Sequence, residues 1–157
     1  MTTPIVDPLF KARGIANYQF DEAIGEILFP DECQFQFSQR TGQIRRITLE
    51  TTTLATIRPR DGRIALTISG GQRLREAAPA PRFRVVVAKE AAPLVAEGRS
   101  VFAKHVLQVD LRLRAGDEVL VVDEDDTLLA VGKAQLCPEE MLDLTRGVAV
   151  RTRHSVR

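Results

Sequence analysis

One segment of this sequence combines residue types that together can bind phosphate. In Gly98–Lys104, the glycine lets a ligand approach the backbone closely, and Arg99, Ser100 and Lys104 can meet phosphate oxygens. The alternative is that Gly98 only ends a helix and Arg99 is solvated. The segment alone does not decide between the two interpretations.

A second basic group lies at the carboxyl end, where no acidic residue follows Asp143. Alternation predicts a strand in which Arg151 and Arg153 share one face while Val148 and Val150 occupy the other. Two arginines on an exposed strand are well placed to follow a phosphate backbone. An edge strand that uses charge to prevent aggregation would show the same pattern. Two further arginines belong to this group, Arg146 and Arg157.

The basic residues are unusual in kind. The chain has 22 of them, but only Lys11, Lys89, Lys104 and Lys133 are lysine. The planar fork of arginine suits phosphates and base edges better than an ammonium does, which favours nucleic-acid binding. A genome that favours arginine codons gives the same composition. Because the chain also has 21 acidic residues, its net charge is only +1, and this value does not indicate a class of binding partner.

The sequence offers little for catalysis. It contains no GxSxG nucleophile motif, no GxxxxGK[ST] phosphate loop and no HExxH zinc motif. His105 and His154 have no carboxylate at ligand spacing, and Ser69-Gly70-Gly71 falls short of a dinucleotide fingerprint. We therefore expect no catalytic residues, no enzymatic activity of the chain's own and no cofactor.

Metal binding is not expected either. Cys33 and Cys137 stand outside any CxxC or Cys/His spacing, and the neighbours Asp31 and Glu32 would raise the pKa of the Cys33 thiol. The acidic run 123–126 lacks the ligand spacing and glycine of a calcium loop, so it is interpreted as a solvated hairpin tip.

The first half of the chain predicts a helix followed by a small sheet. Apolar spacing indicates a helix over 15–28, ended by Pro30. Strand-like runs follow, and Asp61-Gly62 between two of them is a strong hairpin signal because the turn needs positive φ. Ser69 is expected to cap a short helix that extends through Glu76.

The second half predicts mostly short strands. It begins after Ala77-Ala78-Pro79-Ala80-Pro81, where neither a helix nor a strand should continue. Gly98 is expected to end a short helix in the left-handed conformation. The expected elements are a strand over 83–87, a helix over 90–97, an apolar strand-like run over 101–109, a hairpin around 123–126 and a last strand over 148–153.

Composition and length fit a soluble globular protein. The chain has 157 residues, of which 44% are hydrophobic and 27% charged. No apolar run approaches the roughly 20 residues of a membrane-spanning helix, and the first residues do not resemble a signal peptide. With two unpaired cysteines, a reducing cytoplasm and no membrane partner are expected.

Several motifs of the second half resemble a PUA domain, the small RNA-binding fold of pseudouridine synthases and archaeosine transglycosylases. The most specific are Gly116-Asp117-Glu118-Val119, Leu129-Ala130-Val131-Gly132 and Arg146-Gly147-Val148-Ala149-Val150. The resemblance implies an α+β protein in which a helix-plus-antiparallel-sheet domain, residues 1–78, precedes a PUA pseudo-barrel, residues 79–157. The other matching runs are 82–87, 92–104 and 140–142.

The first half resembles the domain that precedes PUA in archaeal tRNA-guanine transglycosylases and archaeosine synthases. The matching runs are 17–20, 28–31, 41–45 and 54–58. The catalytic barrel of those enzymes, with its nucleophilic carboxylate and zinc cysteines, does not fit within 157 residues. The resemblance therefore implies that this chain docks RNA but does not catalyse base exchange.

In that family the PUA domain holds the tRNA acceptor stem and its CCA end. The resemblance thus implies RNA binding, with tRNA as the specific candidate. The alternative is a detached tRNA-docking subunit of a separately encoded transglycosylase or archaeosine synthase, and a third interpretation is a protein-interaction adaptor without RNA affinity. The family's contacts map here to Gly98, Arg99, Ser100, Val101 and Lys104, with Arg151 and Arg153 nearby.

Overall fold

The computed structural model describes residues 7–157. The chain divides between Ala77 and Ala78 into two compact units, here called the amino-terminal and carboxyl-terminal units. Among the described residues, no helix is long and apolar enough to span a bilayer.

The amino-terminal unit packs three helices with one antiparallel sheet of order β1-β2-β3-β4. Each strand pairs with the next along the chain, so the β1–β2 and β3–β4 connections lie at the same end of the sheet. The elements are α1 (Pro8–Gln19), α2 (Ile24–Leu28), β1 (Gln34–Phe37), β2 (Ile44–Leu49), β3 (Thr52–Ile57), β4 (Ile64–Leu66) and α3 (Ile68–Ala77).

The prediction of a single helix over 15–28 was wrong, because the chain reverses direction between α1 and α2. The Asn17 side chain accepts a hydrogen bond from the Gly25 N–H at 2.6 Å and holds α2 against α1. A Cβ on Gly25 would lie 2.3 Å from the Arg13 carbonyl oxygen, so only glycine permits this approach. Tyr18, counted in the apolar pattern, is 92% exposed, whereas Phe20 belongs to the core.

The hairpin predicted at Asp61-Gly62 is confirmed, and the predicted helix cap is displaced by two residues. Gly62 has a φ of +71°, and its N–H donates to the Arg58 carbonyl at 2.8 Å. Ser69 lies inside α3, whereas the Thr67 hydroxyl accepts from the Gly70 N–H at 3.1 Å and caps the helix.

The carboxyl-terminal unit is a six-stranded sheet of order β6-β10-β9-β8-β5-β7, antiparallel except for the parallel pair β5–β8. A 3₁₀ turn, Ala103–His105, joins β6 to β7. The elements are β5 (Arg84–Val87), α4 (Ala92–Ala96), β6 (Val101–Phe102), β7 (Val106–Val109), β8 (Glu118–Val122), β9 (Leu128–Ala134), α5 (Pro138–Asp143) and β10 (Val148–Ser155).

The short β6–β7 connection explains why this sheet curls into a pseudo-barrel. β6 and β7 are its opposite edges, yet only three residues separate them, so the edges must approach each other. For the same reason the run over 101–109 is two strands and not one. The predicted α+β class with a pseudo-barrel is confirmed.

Buried charge joins the turns of the carboxyl-terminal unit to its strands. Arg84 is 2% exposed and donates to the Ala78 carbonyl at 2.7 Å and to the Asp126 carboxylate at 2.8 Å. The hairpin expected around 123–126 is present, but Asp126 serves as the partner of a buried arginine and not as a solvated tip. Asp123 accepts from the Asp125 and Thr127 N–H groups and fixes the turn.

The division between Ala77 and Ala78, one residue before the predicted boundary, can be tested with a fragment. We expect residues 78–157 to unfold cooperatively on their own, because the pseudo-barrel contains its own buried core. A fragment starting at Arg82 should melt at a lower temperature, since it lacks the Ala78 carbonyl that Arg84 binds. Melting curves by circular dichroism measure both, and a non-cooperative transition for 78–157 would contradict the boundary.

Candidate nucleic-acid interface

The loop after α4 lies against the carboxyl half of β10. The Gly98 N–H donates to the Val95 carbonyl at 2.9 Å and the Arg99 N–H to the Leu94 carbonyl at 3.1 Å, and Gly98 has a φ of +108°. This pair of hydrogen bonds is a Schellman motif, which confirms the predicted helix end. The Thr152 hydroxyl then donates to the Arg99 carbonyl at 3.0 Å, so the loop is fixed to β10.

The structure separates the roles of the two arginines of β10. Strand pairing with β9 is irregular between Thr152 and His154, so the simple alternation expected across Arg151 and Arg153 is broken. Arg151 is exposed, whereas Arg153 is half-buried and bound to Glu118. The expectation that both arginines are exposed was therefore wrong for Arg153, because its guanidinium is bound to the buried Glu118 carboxylate.

Glu118 and Arg153 form a two-point ion pair. The Arg153 Nη1 donates to Glu118 Oε1 at 2.9 Å, and Nη2 donates to the other carboxylate oxygen. The Glu118 side chain has no exposed surface, so this pair is built into the barrel. The charge of Arg153 is largely balanced by that carboxylate, which leaves Arg151 as the stronger candidate for a phosphate contact.

Lys133 joins this site, although spacing along the sequence did not single it out. It lies directly opposite Arg151 in the β9–β10 register, and both residues are exposed. Directly opposite residues of an antiparallel pair share one face, so two like charges meet there. The sequence held one signal for Lys133, since it is the single charged residue of the β9 segment. In the structure it is also the single exposed position of that strand.

The segments that contain Lys104 and Arg99 are attached to β10 at points five residues apart. The Ala103 N–H donates to the Gly147 carbonyl at 2.9 Å, whereas the Arg99 carbonyl is bound at Thr152. Five residues of strand span about 16 Å. The predicted basic residues therefore follow β10 as a row and do not form one compact cluster.

The middle of this row contains apolar groups. Phe102, on β6, is 48% exposed and lies opposite Val148 of β10, which is 36% exposed. Val101 is 1% exposed, so its side chain is part of the core and only its backbone could meet a ligand. Ser100 is half-buried between Arg99 and β6. We define the β10 surface as Arg99, Phe102, Lys104, Lys133 and Arg151.

The two cysteines have structural roles. Burial raises the pKa of the Cys33 thiol, and the charge of Glu32 adds to this effect. The charges of Arg73 and Arg13 lower the pKa but do not outweigh burial, so the thiol is protonated in the core. The Cys137 N–H donates to the Glu140 side chain at 3.1 Å and begins α5. Across residues 7–157, no three His, Cys, Asp or Glu side chains form a group that could hold a metal ion.

Comparison with known families assigns each of the two units to a domain family. Residues 11–81 match the patch-forming domain C2 of tRNA-guanine transglycosylase, and residues 83–156 match the PUA domain. The PUA domain is an RNA-binding fold and not a catalytic one.

Curated relatives match almost the whole chain. The tRNA-guanine(15) transglycosylase of Methanothermobacter thermautotrophicus is 45% identical over 148 residues, which are 94% of this chain and 23% of that protein. The tRNA-guanine(15) transglycosylase of Thermococcus kodakarensis is 43% identical over 142 residues, or 90% of this chain and 24% of the relative. The chain thus spans about a quarter of the length of these archaeal relatives and resembles their carboxyl-terminal part.

Solved structures share the fold. A hypothetical protein of Pyrococcus horikoshii superposes with a TM-score of 0.75 at 22% identity, covering 96% of this chain and 90% of that one. A PUA domain from Aeropyrum pernix gives a TM-score of 0.67 at 22% identity, with 94% and 80% of the two chains covered.

Proposed function

Because this chain belongs to the proteins that join a C2 patch-forming domain to a PUA domain, we propose that it binds structured RNA without catalysing a reaction. The RNA we propose is the acceptor stem of tRNA with its single-stranded CCA end. The relatives are named for their action on tRNA, and this chain resembles the part of them that contains the PUA domain.

The observation that carries the proposal is the pair Arg151 and Lys133. Both side chains are exposed, whereas the acidic residue of the same cross-strand row, Glu118, is buried and bound by Arg153, so two like charges face the ligand side by side. A phosphate group placed between them would turn this repulsion into two charge-assisted hydrogen bonds. Their arrangement thus supports a negatively charged ligand on β10, although the whole chain carries a net charge of only +1.

The apolar centre of the β10 surface supports RNA over a simple polyanion. Unpaired bases stack on exposed aromatic side chains, and Phe102 offers one beside Val148. Arg99 and Lys104, near the two ends of the row, can contact the backbone on either side of that base. In this proposal Gly98 and Ser100 let the RNA backbone approach the loop closely. Arg153 stabilises the strand through its ion pair with Glu118.

The proposal predicts a salt-dependent affinity that the β10 surface controls. We expect Arg151→Gln with Lys133→Gln to weaken binding to an acceptor-stem minihelix about tenfold at low salt. The slope of log affinity against log salt should decrease by about 0.7–0.9 for each phosphate that the variant no longer neutralises. Fluorescence anisotropy across a salt series measures both quantities.

Lys89→Gln is the matched control. Lys89 is exposed and follows β5, which is three places from β10 in the sheet order. It should change neither affinity nor slope. Equal affinities and slopes for the control, the double variant and the native chain would contradict RNA binding at this surface, and no measurable binding by the native chain would favour a protein-interaction adaptor.

A second candidate function is a tRNA-docking subunit for a transglycosylase or archaeosine synthase whose catalytic domain lies on another chain. It is favoured by the similarity of this chain to the carboxyl-terminal part of proteins named tRNA-guanine(15) transglycosylases. In this case the purified chain alone should not exchange guanine in tRNA, and it should co-elute with such a catalytic chain in gel filtration. Separate elution, with no gain in exchange on mixing, would contradict the subunit.

A further inference from the structure

A basic groove lies in the amino-terminal unit, at the sheet end where the β1–β2 and β3–β4 connections meet. These connections cover 38–43 and 58–63, and α1 contributes Lys11 and Ile15 to the same groove. The groove has a volume of about 660 Å³, which is within the range of small-ligand sites. Its lining does not include any residue of the carboxyl-terminal unit.

Positive charge is concentrated around this groove. Lys11, Arg40, Arg45 and Arg58 line it. Arg58 lies 3.4 Å from Asp61, and Lys11 donates to the Gln43 side chain at 2.7 Å. Arg40 and Arg45 are exposed, and neither has an ion-pair or hydrogen-bond partner for its side chain within residues 7–157. Two guanidinium groups at one cleft are thus available for an anion.

The rest of the lining combines apolar side chains with the polar side chains of Ser38, Thr41 and Gln43. Ile15, Ile44 and Ile57 contribute to the groove, together with Pro59. An apolar surface surrounded by arginines suits a ligand that has a flat, weakly polar body and a phosphate. Guanidinium groups bind phosphate in a two-point geometry and also stack on bases.

We propose that this groove binds a phosphorylated nucleoside, either as one nucleotide of a single-stranded RNA or as a free nucleotide. The phosphate contacts Arg40 and Arg45, and the base rests against the isoleucines. The proposal goes beyond RNA binding by the β10 surface, because it uses different residues in a different unit and does not require that surface to bind.

The experiment uses the full chain and three probes, which are inorganic phosphate, adenosine monophosphate and a five-nucleotide single-stranded RNA. Isothermal titration calorimetry measures binding to the native protein and to Arg40→Gln with Arg45→Gln. We expect the double variant to lose about tenfold or more in nucleotide affinity, as two charge-assisted hydrogen bonds are removed.

Arg46→Gln is the matched control, because Arg46 is the exposed neighbour of Arg45 on β2 but does not line the groove. It should bind as the native chain does, and so should Arg151→Gln with Lys133→Gln, which separates this proposal from the β10 surface. Binding of the monophosphate supports a free nucleotide, and binding of the RNA alone supports a strand.

Three results would overturn the proposal. The first is the absence of saturable binding to either nucleotide probe. The second is an equal loss in Arg46→Gln. The third is inorganic phosphate binding as tightly as both nucleotide probes, which would leave the base without a role. Thermal melting of each variant confirms that the native fold is retained.

Discussion

Arg153→Ala should destabilise the carboxyl-terminal unit by about 3–5 kcal/mol, because it leaves the Glu118 carboxylate buried without its partner. The Glu118 side chain has no exposed surface, and both of its oxygens accept from the Arg153 guanidinium. A buried carboxylate that loses its ion-pair partner costs more than the net contribution of the intact pair. Urea unfolding at pH 7 measures the change in the free energy of unfolding.

A double variant separates this effect from a loss of packing. Glu118→Gln with Arg153→Gln removes both charges while keeping similar side-chain volumes, so it should be more stable than Arg153→Gln alone. Additive losses would contradict a buried ion pair. The result also bears on RNA binding, because a loss of affinity in Arg153→Ala would not by itself identify Arg153 as a phosphate ligand when the same change destabilises the barrel.

Asp110→Asn should be the second strongly destabilising change, by about 3 kcal/mol at neutral pH. The Asp110 side chain is 5% exposed and accepts from the Phe83 N–H at 2.8 Å and from Arg82 Nη1 at 2.6 Å. Its other oxygen accepts from the Arg112 N–H at 3.0 Å. An amide offers only one acceptor oxygen, so it cannot replace these contacts.

The Asp110 contribution should also depend on pH. Burial acts to raise the pKa of this carboxyl, but the hydrogen bonds from Phe83, Arg112 and Arg82 outweigh burial and hold it below the ordinary value of 3.8. A carboxyl whose pKa is lower in the folded state stabilises fully above its unfolded pKa. That stability is lost as the pH falls from about 4 towards the folded pKa.

Urea unfolding at several pH values tests this dependence. The stability difference between the native chain and Asp110→Asn should be constant between pH 5 and 7 and should shrink below pH 4. Asp125→Asn, which changes an exposed carboxylate on the β8–β9 hairpin, is the control. A difference that stays constant down to pH 3 would contradict the lowered pKa of Asp110.

Local signals in the sequence predicted several elements correctly. Gly98 ends α4 in a left-handed conformation, and Asp61-Gly62 turns the β3–β4 hairpin, because both depend on a backbone conformation that glycine favours. Motif resemblance identified the PUA fold, and the exposed Arg99 and Arg151 lie beside the strand where the prediction placed them.

Other features depend on contacts between distant residues and could not be obtained from spacing. The α1–α2 reversal depends on Asn17 meeting Gly25, and the break in 101–109 depends on closure of the barrel. Arg153 meets Glu118 across 35 positions of the chain. Lys133 becomes a neighbour of Arg151 only once the β9–β10 register is known.

The most direct test of RNA binding at the β10 surface is a titration of the ¹⁵N-labelled chain with an acceptor-stem minihelix ending in CCA, followed by amide chemical shifts. The largest shifts should fall at Gly98–Ser100, Phe102, Lys133 and Arg151, and a blunt duplex without CCA should leave Phe102 less affected. Saturating RNA that shifts none of these amides, or that shifts only residues away from β10 and the loop after α4, would contradict the proposal.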